Sequence, residues 1–188
     1  MTALLTPAPS PEAVALVNTV PGLAVEPTVL LTQAGPAAEL GPESAGAVLI
    51  LQATFADAER QRGFWDAVVP LTKLLSSAPG MIRRFSFIDG PTLTLLALWR
   101  ALADAQAFGA SPEHRAAVRE LYRQRWQYTH FSALWEMVSN HDRIVFCDHC
   151  DGITPISERV CRGCGRPFAD PYRSAAGTTP GPGEVVAG

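Results

Sequence analysis

Nothing in this 188-residue chain approaches the ~20 consecutive apolar residues that cross a bilayer; the longest run, around Leu93–Trp99, is strand-sized and contains Thr94. The first ten residues place no Lys or Arg ahead of an apolar stretch, so a secretory leader is not expected. A basic excess is also missing. Fifteen Lys and Arg against 18 Asp and Glu leave a formal net charge of −3, which gives no reason to expect nucleic acid or an anionic membrane as a partner. No cysteine lies outside two Cys-x-x-Cys pairs, which argues for a metal in a reducing cytoplasm rather than a disulfide framework. Equally absent is a clean His/Asp/Asn constellation. What remains is globular: 47% hydrophobic and 18% charged residues, enough for one good core and a small satellite.

Composition divides the chain. Residues 1–44 are rich in Pro and Ala, with only acidic charges (Glu12, Glu26, Glu39, Glu43), and read as an arm that packs on its neighbour. Short apolar patches at Ala13–Val17 and Thr28–Thr32 interrupt it, and Val29-Leu30-Leu31 after Pro27 suits an edge strand. Residues 45–140 carry the main periodic pattern, 141–171 hold the cysteines, and 172–188 have the composition of a disordered tail.

In the main region, Ala47–Phe55 alternates Leu49, Leu51, Ala53 and Phe55 against Val48, Ile50, Gln52 and Thr54, so both faces are largely apolar and the strand should be covered on both. Asp57 caps a helix whose core stripe is Phe64, Val68, Leu71 and Leu75, widened by Trp65 and Val69. Ser76–Gly80 stops it. A second strand, Gly80–Ile88, places Arg83, Phe85 and Phe87 on one face and Ile82, Arg84, Ser86 and Ile88 on the other. The turn Asp89-Gly90-Pro91 pairs it with Thr92–Trp99 as a hairpin. Helical sequence follows at Ala101–Phe108 and restarts after Ser111-Pro112, with Arg115, Arg119 and Arg123 forming a stripe that reads as a solvated face or an anion-holding rim. Gln127–Met137 closes the unit, with Tyr128, His130, Ser132 and Leu134 on one face and Phe131 and Trp135 on the other.

This β-α-β-β-α-β order predicts an α+β ferredoxin-like fold: a four-stranded antiparallel sheet with its helices on one face. The other face is too apolar to stand in water, which points to a homodimer closing a dimeric α/β barrel.

Cys147-Asp-His-Cys150 and Cys161-Arg-Gly-Cys164 lie ten residues apart, with Gly152 and Gly165 where tight knuckle turns would want them. Four deprotonated sulfurs at tetrahedral corners make a structural zinc ribbon the expected module, with no position open for water. A rubredoxin-like iron centre uses the same ligand set. His149 inside the first knuckle is a possible substitute ligand but is expected at the surface.

The segment from Leu98-Trp99-Arg100 to Ser111-Pro112-Glu113-His114-Arg115 resembles the antibiotic biosynthesis monooxygenase family, as do the Ala78-Pro79-Gly80 turn and the Trp135-Glu136 pair. The resemblance covers about half the chain. It implies a ferredoxin-like dimeric α+β barrel and a wide range of activity: cofactor-free oxidation of polycyclic phenols to quinones, haem degradation, cyclisation, or binding alone. The haem degraders use an Asn on the first strand and a Trp and a His on the helical segment. Here Gln52 and Phe108 stand nearest the first two, which weakens a haem reading.

Cofactor-free oxidation needs a base near neutrality, a donor for the oxyanion and a dry aromatic cavity. His130, beside Tyr128, is the first candidate base and His114 the second; Trp99, Tyr128 and Gln52 are candidate donors. Arg83 or Arg84 is expected to hold an anionic ligand, and Phe108 to help form the wall. Two classes of function follow. One is a small oxygenase or related cyclase acting on an aromatic polyketide-like molecule of secondary metabolism. The other is a non-catalytic module that dimerises through the barrel and docks a protein partner on the zinc ribbon.

Overall fold

A computed structural model of the chain describes residues 29–168. The apolar patch Ala13–Val17 and the 172–188 tail lie outside the described residues. The strands are β1 (Val29–Ala34), β2 (Ala47–Phe55), β3 (Met81–Asp89), β4 (Thr92–Trp99), β5 (Gln127–Glu136), β6 (Ile144–Phe146) and β7 (Ile153–Pro155). The helices are α1 (Ala58–Leu75), α2 (Leu102–Gly109) and α3 (Pro112–Gln124).

The expected β-α-β-β-α-β unit is present as β2-α1-β3-β4-(α2-α3)-β5. Its strands pair antiparallel in the order β3-β4-β2-β5, the ferredoxin-like arrangement, and β1 extends the β3 edge as a fifth strand. Local chemistry sets the boundaries. Asp57 Oδ1 accepts from Arg60 N at 2.8 Å to start α1, and Ser111 Oγ accepts from His114 N at 3.2 Å to start α3, with Pro112 at its first position. Gly80 has φ +76°, and a Cβ there would meet the Asp104 carboxylate, so the turn into β3 needs glycine twice over.

One sheet face carries the helices. Leu93, Ala97 and Trp99 of β4 and Ala53 and Phe55 of β2 are buried there. The stripe on α1 is only partly core. Phe64 and Leu75 are buried, Val68 and Leu71 stay half-buried, and Val69, expected to widen the stripe, is 46% exposed. A bulge at Met81/Arg83 shifts the start of β3. Met81 packs with Ala97 and Trp99, while Ile82, expected on the same face as Arg84, clusters with Ala37, Ala45 and Leu98. The turns Ala38–Leu40 and Pro42–Ser44 thereby shield one corner of the opposite face. The rest of that face presents Phe131 (52% exposed) and Trp135 (54%).

The chain after β5 is tied back to this layer. Asn140 Nδ2 donates to Ala45 O at 2.5 Å, and the Arg143 guanidinium meets the Glu43 carboxylate at 2.6 Å, half-buried. β6 and β7 then form a two-stranded sheet carrying the cysteines.

Candidate functional site

Between the helices and the sheet lies a cavity of about 410 Å³, within the ordinary range of small-molecule sites. Leu49 and Leu51 of β2, Leu95 of β4 and Leu134 of β5 form its floor; Val68 and Leu71 of α1 and Val118 and Leu121 of α3 form its roof. The half-burial of Val68 and Leu71 is explained by the space beneath them. Among the described residues no Asp, Glu or Lys lines the cavity, and Arg84 is the single formally charged side chain of the lining.

Arg84 is 4% exposed. Its Nε donates to Ser86 Oγ at 2.9 Å and its Nη1 to Thr72 Oγ1 at 2.8 Å; both acceptors are neutral hydroxyls. Burial pushes its pKa down to about 10, which leaves it a cation at neutral pH.

His114 is half-buried against Phe108, ring centroids 5.3 Å apart, and Phe108 in turn lies 5.5 Å from Trp99. His114 Nδ1 stands 3.1 Å from Gly109 O. A carbonyl oxygen only accepts, so Nδ1 carries the proton and Nε2 keeps its lone pair. Desolvation lowers the His114 pKa, and the bond to Gly109 opposes the shift without cancelling it. The result is a neutral imidazole in a defined tautomer. Helical spacing to Ala117, Val118 and Leu121 turns it to the apolar side of α3.

His130 also lines the cavity, but on edge strand β5 and exposed, facing Tyr122 of α3 with ring centroids 6.3 Å apart. Desolvation lowers its pKa as well. Exposed Tyr122 and His130 mark the open side. Tyr128, expected on the same face as His130, is 75% exposed and does not line the cavity. The β2–β5 register slips between Thr54 and Phe55, so Phe55 pairs with Gln127, and Gln127 lines the cavity instead. Gln127 Nε2 and Trp99 Nε1 are buried donors without acceptors among the described residues.

Two other expected residues lie elsewhere. Gln52 sits on the opposite sheet face, exposed, with Nε2 3.3 Å from Thr94 Oγ1. Arg83 is buried outside the cavity lining. Arg115, Arg119 and Arg123 are exposed and form no part of the lining, so the stripe is a solvated face. Gln127, Thr72 and Ser86 carry no sequence signal for their places at or beside the cavity; the helical spacing from His114 to Leu121 is a signal that could have raised His114 above His130.

The second site is the cysteine cluster. The four sulfurs of Cys147, Cys150, Cys161 and Cys164 lie within 4.8 Å of one another, with Cys150–Cys161 at 3.5 Å and Cys147–Cys164 at 3.8 Å. Disulfides are excluded at these distances. A tetrahedral centre with metal–sulfur bonds of about 2.3 Å has edges of about 3.8 Å, so the residues fit a metal ion. Backbone N–H groups of Cys164 and Gly163 lower the Cys161 thiol, favouring the ligating thiolate. The left-handed residue after each knuckle is Asp151 (φ 55°) in the first and Gly165 (φ 72°) in the second. Gly152 serves space instead: a Cβ there would stand 3.1 Å from Cys161 Sγ and 3.2 Å from Cys150 Sγ. His149 is exposed and outside the cluster. Among the described residues no helix is long and apolar enough to cross a membrane.

No family model and no curated protein matches the chain. Solved structures do. A protein from Lactobacillus acidophilus described as a candidate monooxygenase shares 14% identity over 56% of this chain, with a TM-score of 0.42; this chain spans only 47% of it. An antibiotic biosynthesis monooxygenase structure shares 14% identity over 49% of this chain and 98% of its own, TM-score 0.42. The heme-degrading enzyme of Listeria monocytogenes shares 11% identity over 49% of this chain and 61% of its own, TM-score 0.39. A further protein from Listeria monocytogenes, described as a ferredoxin fold protein related to antibiotic biosynthesis monooxygenases, shares 9% identity over 56% of this chain and 60% of its own, TM-score 0.42. At such identities and scores they carry no argument about chemistry.

Proposed function

We propose that the chain is an enzyme of the cofactor-independent oxygenase type, or a cyclase sharing its first step, acting on an aromatic polyketide-like molecule of secondary metabolism. The observation that carries this reading is a neutral, tautomer-fixed imidazole, His114, on the wall of an apolar cavity.

His114 Nε2 removes a proton from an acidic phenol or anthrone carbon, and the resulting anion passes an electron to dioxygen. The pair collapses to a new C–O bond, giving a hydroperoxide. Loss of water then leaves a carbonyl, so one oxygen atom of O₂ enters the product and the other departs as water. Trp99 Nε1–H and Gln127 Nε2–H are available to hold the developing oxyanion. The leucine floor excludes bulk water, and His130 at the open side is placed to exchange the proton with solvent. Oxygen uptake with an added anthrone tests the assignment. His114→Gln should lower the rate by roughly 10²–10⁴, the usual worth of a general base, and His130→Gln by much less. Equal rates in wild type and His114→Gln would remove His114 as the base.

We further read the four cysteines as the site of a structural zinc, held in the cytoplasm where thiols stay reduced. Four thiolates fill its coordination, so its contribution is to folding. The apolar outer face around Phe131 and Trp135 fits a homodimer. The second reading, a module that docks a protein partner, is favoured by one observation: the cysteine module exposes Ile144, Phe146 (74%), Ile153 and Val160.

A further inference from the structure

Among the described residues the cavity has one formally charged side chain, and no carboxylate is paired with it. Arg84 is nearly sealed from water, and its two hydrogen bonds go to neutral hydroxyls. Among the described residues no carboxylate pairs with it, and none lines the cavity. An isolated buried cation is strongly unfavourable, and proteins ordinarily pair such groups. Ser86 and Thr72 do not neutralise Arg84; they hold it. Thr72 is itself anchored, its hydroxyl donating to Val68 O at 3.2 Å, so the guanidinium is fixed in orientation before any ligand arrives. Among the described residues, two fully buried side-chain atoms of the lining have no hydrogen-bond partner, Trp99 Nε1 and Gln127 Nε2, and both are donors. A site offering a fixed cation and spare donors, with no acid of its own, selects an acceptor-rich anion. The surrounding leucines and the Trp99–Phe108 pair select a flat apolar body.

Building on the ligand-site reading above, we propose that the cavity takes an aromatic carboxylate, with its carboxylate seated on Arg84. The fork of a guanidinium matches a carboxylate's two oxygens, which a phenol or ketone of the same shape cannot reproduce. The substrate is then an aromatic acid rather than any planar phenol, and a neutral relative lacking the acid group enters poorly.

Calorimetric titration of the full-length chain with 2-naphthoate and with its neutral isostere 2-naphthamide tests this. Wild type should bind the naphthoate at least tenfold more tightly. Arg84→Met should abolish that preference while leaving naphthamide affinity within about threefold, because Met replaces an unpaired charge with apolar volume. Arg84→Lys keeps the charge but not the fork and should retain only part of the preference. The melting temperature of ligand-free Arg84→Met should equal or exceed that of wild type. Equal binding of the two probes by wild type would overturn the proposal while leaving the ligand site intact, and so would a preference that survives in Arg84→Met. Binding of neither probe would overturn both. A large fall in melting temperature with loss of both probes would make Arg84 a structural residue and overturn the proposal; the wild-type comparison stands whether or not a variant folds.

Discussion

The cysteine module and the cavity assemble their chemistry in opposite ways. All four sulfurs come from an 18-residue stretch, Cys147 to Cys164, on two local knuckles, and nothing else in the chain is needed to bring the pairs into being. The cavity draws on β2, β3, β4, β5 and all three helices, and most of its lining residues are ordinary leucines, valines and alanines. A tetrahedral metal centre needs four ligand atoms of matched chemistry at a fixed distance, here four thiolates, so its demand is written in residue type and spacing. A small molecule needs shape and a few aimed polar groups, so its demand is written in tertiary structure. The first is visible before folding and the second only after it.

That contrast can be broken or sharpened by experiment. The largest effect should follow metal removal. Structural zinc contributes about 10–16 kcal/mol in small ribbons, so a strong chelator should unfold residues 141–168 and expose four titratable thiols. The five-stranded layer should keep its circular dichroism, because among the described residues the side-chain hydrogen bonds and ion pair that tie the segment after β5 to the layer come from Asn140 and Arg143. Loss of both together would mean that the module is part of the main core.

A smaller effect should come from the outer face. If Phe131 and Trp135 anchor a dimer, Trp135→Asp should weaken it by roughly 2 kcal/mol or more, about thirtyfold in dissociation constant. Sedimentation equilibrium measures this. A wild-type monomer at all concentrations would remove the barrel from the account.

The smallest effect concerns pH. The folded His114 pKa is lowered, so between the ordinary imidazole value of about 6.5 and the folded value the unfolded chain binds more protons. The stabilising contribution is therefore complete above about pH 6.5 and is lost as pH falls through the folded pKa. His114→Phe should flatten that part of the stability curve, measured by urea melts between pH 7 and 5. A curve identical to wild type would show that His114 titrates normally.

Much of the layer was legible in the sequence because its signals are local. Asp57 and Ser111-Pro112 start helices where they should, Asp89-Gly90-Pro91 closes a hairpin, and Leu93, Leu95, Ala97 and Trp99 alternate into the core. Two of the failures share one cause. A β-bulge inserts a residue without changing composition, so the bulge at Met81/Arg83 moved Ile82 away from Arg84, and the slip at Thr54/Phe55 exchanged Tyr128 for Gln127. Gln52 was placed on its correct face, but that face is the one away from the helices. Which sheet face a helix covers is decided by handedness and packing, and no side chain announces it.

The most direct test of the central claim, a ligand site between helices and sheet, is an indole N–H nuclear magnetic resonance titration with 2-naphthamide. The chain has four tryptophans, and of these only Trp99 lines the cavity, while Trp135 reports on the outer face. The account predicts that the Trp99 indole signal shifts as the probe is added and the Trp135 signal stays. Movement of Trp135 with Trp99 unmoved would contradict it.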